Sequence, residues 1–265
     1  MISLDDIISH QASSDMNSDT IKRLNQLNQD FYSTTAPEFD ITRQTAWEGW
    51  YQLLPLIPEL ADKNAPFRVL DLGCGNARFA SFLSKELPQI TIYYLGIDSS
   101  QELLHKAHTV TGLSSFRVQQ LDIVTTLINK STIIAPDEEL FDLVVAFGVM
   151  HHIPSNSLRQ AFVQEMVRLC KPQGKAVFTN WLFKDDPTLS QRLIAPAELE
   201  IQAKDLEPND FFIDWKRGTP AIRYCHHVDE TELQTVIEQS GARLERTYLA
   251  DGKTQQLNRY VVLSR

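Results

Sequence analysis

Two acids and two glycines carry the most specific chemistry in this sequence. Asp71, Gly73 and Gly75 fall in FRVLDLGCGNA, Phe67 to Ala77, and Asp98 ends a second apolar run, Tyr93-Tyr94-Leu95-Gly96-Ile97, 23 residues past Gly75. Glycines at the end of a buried strand let the backbone turn sharply and let a ligand come close, because no Cβ intervenes. An acid at the tip of the next strand can accept hydrogen bonds from both hydroxyls of a ribose. The pattern is D-x-G-x-G-x-A, without the G-x-G-x-x-G spacing that approaches a pyrophosphate, so a dinucleotide is the less favoured ligand. Farther along, His151-His152 follows the apolar run Leu143 to Phe147. Adjacent histidines on irregular backbone rarely face one ion and no third ligand is spaced with them, so no metal is expected. His151 and His152 remain open to a packing role or to contact with a substrate.

These residues need strands to aim them. Val69, Leu70 and Leu72 around Asp71 suit a strand buried on both faces, and Phe79, Ala80, Phe82, Leu83 and Leu87 recur at helical spacing behind the glycines. Ser99 and Ser100 can cap a helix holding Leu103, Leu104 and Ala107. A third strand is expected over Phe116 to Leu121, ending at Asp122-Ile123, and a fourth over Leu143 to Phe147. The polar stretch Thr125 to Glu139 gives no clear element. Ala161 to Leu169 reads as a helix, Lys171 to Gly174 as a break and Lys175 to Trp181 as a fifth strand. Residues 182–228 are too many for a simple loop and read as a cap facing the substrate. Asp229 to Ser240 is a helix ended by Gly241, and Arg243 to Tyr248 and Arg259 to Leu263 are strands joined around Asp251-Gly252.

The first 66 residues read as helical. Within them Phe31, Tyr32, Phe39, Arg43, Trp47 and Trp50 crowd together, either packing on the sheet edge or forming a lid with Tyr32 and Arg43 turned to the site. With 265 residues, 43% of them hydrophobic, the chain can bury one sizeable core in a single domain. A net charge of −9 gives no broad phosphate-binding surface, although a local basic patch would suffice for nucleic acid. Cys74, Cys170 and Cys225 form no metal-ligand spacing and suit a reduced setting. The N-terminus has acids where a secretory signal has bases, and no long apolar run suggests a membrane span, so a cytoplasmic protein is expected.

Asp71-Leu72-Gly73-Cys74-Gly75, Asp98 and Phe141-Asp142-Leu143-Val144 resemble the class I S-adenosylmethionine-dependent methyltransferases, over Phe67 to about Trp181. The resemblance implies an α/β fold: a Rossmann-like seven-stranded sheet, mostly parallel with an antiparallel last hairpin, flanked by helices. Residues 1–66 would be the lid, 67–181 the cofactor-binding core, 182–228 the cap insertion and 229–265 the closing helix and hairpin. It implies S-adenosylmethionine as cofactor, with Gly73 and Gly75 by its methionine part, Asp98 at its ribose, Asp122 and Ile123 at its adenine, and Cys74, Asn76 and Ser99 also among the cofactor-binding residues. Tyr32, Arg43, Asp71, Phe147 and Met150 complete the expected cofactor set. For Asp122 a plain helix N-cap is the competing reading.

Phe31-Tyr32, Ala36-Pro37-Glu38-Phe39, Thr42-Arg43, Trp215-Lys216-Arg217, Arg223-Tyr224-Cys225-His226 and Asn258-Arg259-Tyr260-Val261-Val262 are similar to the tRNA wobble-uridine carboxymethyl methyltransferases. That family usually has Tyr at the place of Cys225. The similarity implies a tRNA partner and methyl transfer to a carboxylate, and some relatives need a small activating subunit. The absence of an Asp-Pro-Pro-Tyr or Asn-Pro-Pro-Tyr element argues against an exocyclic amine as acceptor. Arg43, His151, Trp215, Arg223, Tyr224 and His226 are the expected substrate-facing residues, while Trp215 and Tyr224 as core residues of the cap are the plain alternative. A small-molecule methyltransferase with a closed pocket, acting on a carboxylic acid or phenol, and a non-catalytic cofactor-binding scaffold are the competing functions.

Overall fold

The computed structural model describes residues 16–41, 45–61, 64–107, 110–216 and 218–265. Helix α1 (Ser18–Ile41) and the short α2 (Glu48–Tyr51) and α3 (Leu56–Leu60) precede the first strand. Strand and helix then alternate through β1 (Phe67–Leu72), α4 (Arg78–Glu86), β2 (Ile92–Asp98), α5 (Gln101–Ala107), β3 (Ser115–Gln120), α6 (Ile123–Ile128), β4 (Phe141–Ala146), α7 (Asn156–Leu169) and β5 (Cys170–Trp181). After the short α8 (Pro187–Ser190) come β6 (Leu193–Ile194), β7 (Asp210–Trp215) and β8 (Ala221–His226), then α9 (Glu230–Gln239), β9 (Arg243–Ala250) and β10 (Asn258–Ser264).

The main sheet runs β3-β2-β1-β4-β5-β10-β9, parallel except that β10 lies antiparallel between β5 and β9. The strand order turns back between β1 and β4, and the carboxyl ends there open a crevice. Alternation along the strands divides the core. Leu70, Leu72, Val144 and Phe178 share one cluster with Phe162, Val163 and Met166 of α7, while Val69, Leu143, Val145 and Val177 share the other with Phe79, Phe82 and Leu83 of α4. No helix among the described residues is long and apolar enough to cross a membrane.

Several boundaries move from their sequence expectations. The fifth strand starts at Cys170 rather than Lys175, because Cys170 pairs with Phe141 before an irregularity restores register at Lys175. α7 starts earlier, at Asn156, where the Ser155 hydroxyl caps it by accepting from Leu158 N at 3.3 Å. The unassigned stretch after Thr125 begins with the rest of α6. Residues 182–228 hold a second antiparallel sheet, β6-β7-β8.

A buried ionic knot fastens this second sheet to the first unit. Arg159 of α7, 1% exposed, donates to Glu207 at 2.6 Å, to Glu232 of α9 at 2.5 Å and to the Ile153 carbonyl at 2.9 Å. His226 of β8 meets Asp210 at 2.7 Å through Nδ1 and Glu232 at 2.6 Å through Nε2. Both ring nitrogens face carboxylates and must donate, so the ring is the imidazolium. Burial pulls its pKa down, but hydrogen bonds to Asp210 and Glu232 outweigh this and hold it above the usual value. Tyr224 adds a hydroxyl bond to Asp210 at 2.7 Å.

Candidate active site

At the tip of β1 the chain turns through Gly73 with φ +78°, and a Cβ there would meet Val149 Cγ2 at 2.3 Å, so only glycine fits. The turn is tied to β2 by Gly73 and Cys74 N–H groups donating to the Ile97 carbonyl at 2.7 and 2.9 Å. One Asp98 oxygen accepts from Gly75 N and the other from Ser100 N, each at 2.8 Å. Two backbone donors thus aim the carboxylate while each oxygen keeps a lone pair for a ligand. Burial pushes the Asp98 pKa up against these bonds. Asp71, which accepts from the Tyr94 hydroxyl, is pushed by burial up to about 7.

These residues line one cavity of about 610 Å³, which reaches from the Gly-rich turn to the second sheet. That size accommodates a nucleoside cofactor with an acceptor group. Of the expected cofactor residues, Tyr32, Asp71, Gly73, Cys74, Gly75, Asn76, Asp98, Ser99, Asp122, Ile123 and Phe147 border it. Arg43 and Arg217 lie outside the described residues. Met150 is a correction: it is fully buried in the apolar cluster of Phe162 and Phe178, because the tight turn Met150–His152 sends its side chain into the core. Asp122 takes the capping role, accepting from Val124 N at 3.1 Å. Its other oxygen accepts from Asn25 at 2.7 Å and Gln29 at 2.8 Å of α1.

On the acceptor side, His151, Trp215 and Arg223 border the cavity, whereas Tyr224 and His226 do not. Successive side chains of β8 point to opposite faces, so Arg223 turns to the cavity while Tyr224 and His226 turn to Asp210 in the knot. Lys216, next to Trp215, is exposed and lies 3.9 Å from Asp214. Arg223 is 5% exposed, with its guanidinium 4.6 Å from the Trp181 ring centroid and 5.2 Å from that of Phe31. Among the described residues it has no hydrogen-bonding or ion-pairing partner for its side chain. A desolvated cation facing a cavity without an anion is strongly biased toward an anionic ligand.

The sequence reading missed other cavity residues. Arg78 lies 5.1 Å from the Trp50 ring centroid, and its charge partly offsets the rise in Asp71. Its position directly after the Gly-rich turn was the available signal. Asn258 donates to Asp251 at 2.8 Å, and Asp251 accepts from Gly49 N at 3.0 Å, joining the last hairpin to α2 beside the cavity. His151, His152 and Cys225 place ligand atoms within 4.8 Å of one another. The His152 nitrogens, however, already face the Tyr32 hydroxyl and the Tyr224 carbonyl, and burial pushes the Cys225 thiol up to about 12. This set makes a poor metal cage at neutral pH, since ligands must be deprotonated and available.

Residues 70–176, which hold both acids and the Gly-rich turn, match a family model described as a methyltransferase domain. Over that stretch the chain is similar to methyltransferase domains, and its fold is that of S-adenosylmethionine-dependent methyltransferases. It is 26% identical over 178 residues to the tRNA (carboxymethyluridine(34)-5-O)-methyltransferase ALKBH8 of Macaca fascicularis, covering 67% of this chain and 23% of that protein. It is 25% identical over 157 residues to the tRNA (carboxymethyluridine(34)-5-O)-methyltransferase of Arabidopsis thaliana, covering 59% and 33% respectively. The matched region thus spans a third or less of these curated relatives. Among solved structures, a S-adenosylmethionine-dependent methyltransferase from Clostridium acetobutylicum shares the fold with a TM-score of 0.59 at 14% identity, covering 88% of this chain and 98% of that one. The class I cofactor fits the residues present. Asp98 is aimed by two backbone amides, and Gly73, where a Cβ would strike Val149, holds the turn beside it in the conformation that borders the cavity.

Proposed function

We propose that this methyltransferase acts on tRNA and esterifies the carboxylate of a 5-carboxymethyl uridine at the wobble position. The bound cofactor supplies an electrophilic methyl group on a sulfonium. The observation that carries the reading is Arg223, a buried guanidinium facing the cavity without a counter-anion among the described residues. It would pair with the acceptor carboxylate and hold one oxygen toward the methyl. A carboxylate is already ionised at neutral pH, so no base is required. In keeping with that, burial and the Arg223 charge push the His152 pKa down to about 3 and both of its nitrogens are engaged. Trp181 and Trp215 offer aromatic faces for an unstacked base. The names of the two curated relatives point to the same acceptor.

Nucleoside mass spectrometry of tRNA from cells with and without the protein tests this. Loss of the wobble methyl ester, with the free acid accumulating, is the expected result, and an unchanged nucleoside profile overturns it. A free carboxylic acid of low molecular mass is the second reading. It is favoured by the buried position of Arg223 on the cavity-facing side of β8.

A further inference from the structure

The Asn258 side chain has one polar atom committed and one open. The residue is 4% exposed, and its carboxamide nitrogen donates to Asp251 at 2.8 Å. The same Asp251 oxygen accepts from the Tyr260 hydroxyl at 2.7 Å, and the other oxygen accepts from Gly49 N at 3.0 Å. A carboxylate only accepts, so the amide nitrogen is the end turned to Asp251 and the amide oxygen is the end turned away. That oxygen has no partner among the described residues and is not sealed from the cavity that Asn258 borders. Asp251 therefore aims from behind a fixed acceptor atom at the cavity.

The neighbours of this oxygen say which donor it meets. Asn258 of β10 is the direct antiparallel partner of Trp181 of β5, and residues so opposed share one face of the sheet. The Arg223 guanidinium lies 4.6 Å from the Trp181 ring centroid, and all three residues border the same cavity. A cation, an aromatic plate and an acceptor thus follow one another along it. A uracil joined through C5 to a carboxylate on Arg223 has acceptors at O2 and O4, its sugar at N1 and a single N–H, at N3. Only that N–H complements an acceptor atom, whereas the N3 of a cytosine would turn a lone pair on it. We propose that Asn258 is a specificity-determining residue, its oxygen accepting from the N3–H of the acceptor base and so selecting a uracil over a base that lacks this proton. The inference rests on the carboxymethyl uridine reading of the acceptor and asks nothing of the cofactor residues.

Methyl transfer by the full chain to a pair of anticodon stem-loop RNAs tests it, one carrying 5-carboxymethyluridine at the wobble position and the other its N3-methyl derivative. With the unsubstituted protein, kcat/KM should be lower on the N3-methyl RNA by about tenfold or more, because the lost hydrogen bond leaves the Asn258 oxygen unpaired. In Asn258→Ala the two RNAs should be used within about threefold of each other. Tyr260→Phe removes another donor from Asp251 without touching the open oxygen, so it reports any loosening of the hairpin, and its ratio should stay that of the unsubstituted protein. A ratio unchanged in Asn258→Ala, or reduced as much in Tyr260→Phe, overturns the inference. Equal use of both RNAs by the unsubstituted protein also overturns it, and leaves the proposed acceptor standing. Methylation of neither RNA, by a chain that binds S-adenosylmethionine in calorimetry, counts against the acceptor itself, and the inference falls with it.

Discussion

Replacing Arg159 with methionine should be among the most damaging single changes outside the cavity. The guanidinium is 1% exposed, and the carboxylates it serves, Glu207 and Glu232, are 19% and 11% exposed. Methionine fills much of the volume, so the effect isolates the charge. Glu232 keeps His226 and Asn156, and Glu207 keeps the Asn156 N–H, but the Ile153 carbonyl loses this donor. Removing one partner of a buried ion pair typically costs about 3–5 kcal/mol. Unfolding entropy of about 2.1 cal/mol/K per residue gives roughly 0.55 kcal/mol/K for a chain of this length, so Tm should fall by roughly 5–9 °C. Differential scanning calorimetry at pH 7 measures the shift. Limited proteolysis should show earlier cleavage in residues 182–228, since the knot anchors that sheet. A Tm drop below about 2 °C, with unchanged proteolysis, would mean that packing rather than charge fastens the second sheet.

The knot also sets a pH profile. His226 has a raised pKa, so its contribution is complete below the unfolded value near 6.5 and is lost as pH rises through the folded value. Glu232 is held down to about 2, chiefly by His226 and Arg159 against the effect of burial, so its contribution is present above 4.5 and is lost as pH falls toward 2. Urea unfolding across pH should therefore show this contribution at its fullest between about 4.5 and 6.5, and His226→Phe should flatten the alkaline side. A variant that keeps the wild-type alkaline limb would assign that limb elsewhere. Asp98→Ala should weaken S-adenosylmethionine by about 10²- to 10⁴-fold, the loss of two charge-assisted bonds at about 1.5–3 kcal/mol each; an unchanged Kd by calorimetry would misplace the ribose. Arg223→Gln should raise the acceptor KM by about tenfold or more while the cofactor Kd stays within about twofold. Equal losses in both would deny it a separate acceptor role.

The cofactor half of the cavity was readable because its signals are local. An acid between apolar residues, a glycine that must adopt positive φ and a second acid at the next strand tip all follow from neighbours in sequence. The acceptor half depends on directions that sequence spacing does not give. Arg223, Tyr224 and His226 were expected to face the substrate together, yet a strand can turn only alternate positions to one side. Met150 was lost to the core by a single tight turn. The two-residue strand β6 is too short to show a period, so the second sheet could not be anticipated. The hold that Asn25 and Gln29 keep on Asp122 crosses more than ninety residues, and nothing near Asp122 announces it.

The alternation of β8 has a consequence for how such a protein can diversify. On the proposed function, substituting residue 223 would retune recognition while leaving the anchoring face untouched, so new acceptors would be reachable by point changes there. Inserting or deleting one residue before it would instead exchange the two faces, turning the imidazolium out of its carboxylates and the guanidinium toward them. Length variation in this strand should therefore be far less tolerated than variation in composition, and libraries built to redirect the enzyme should keep its register fixed.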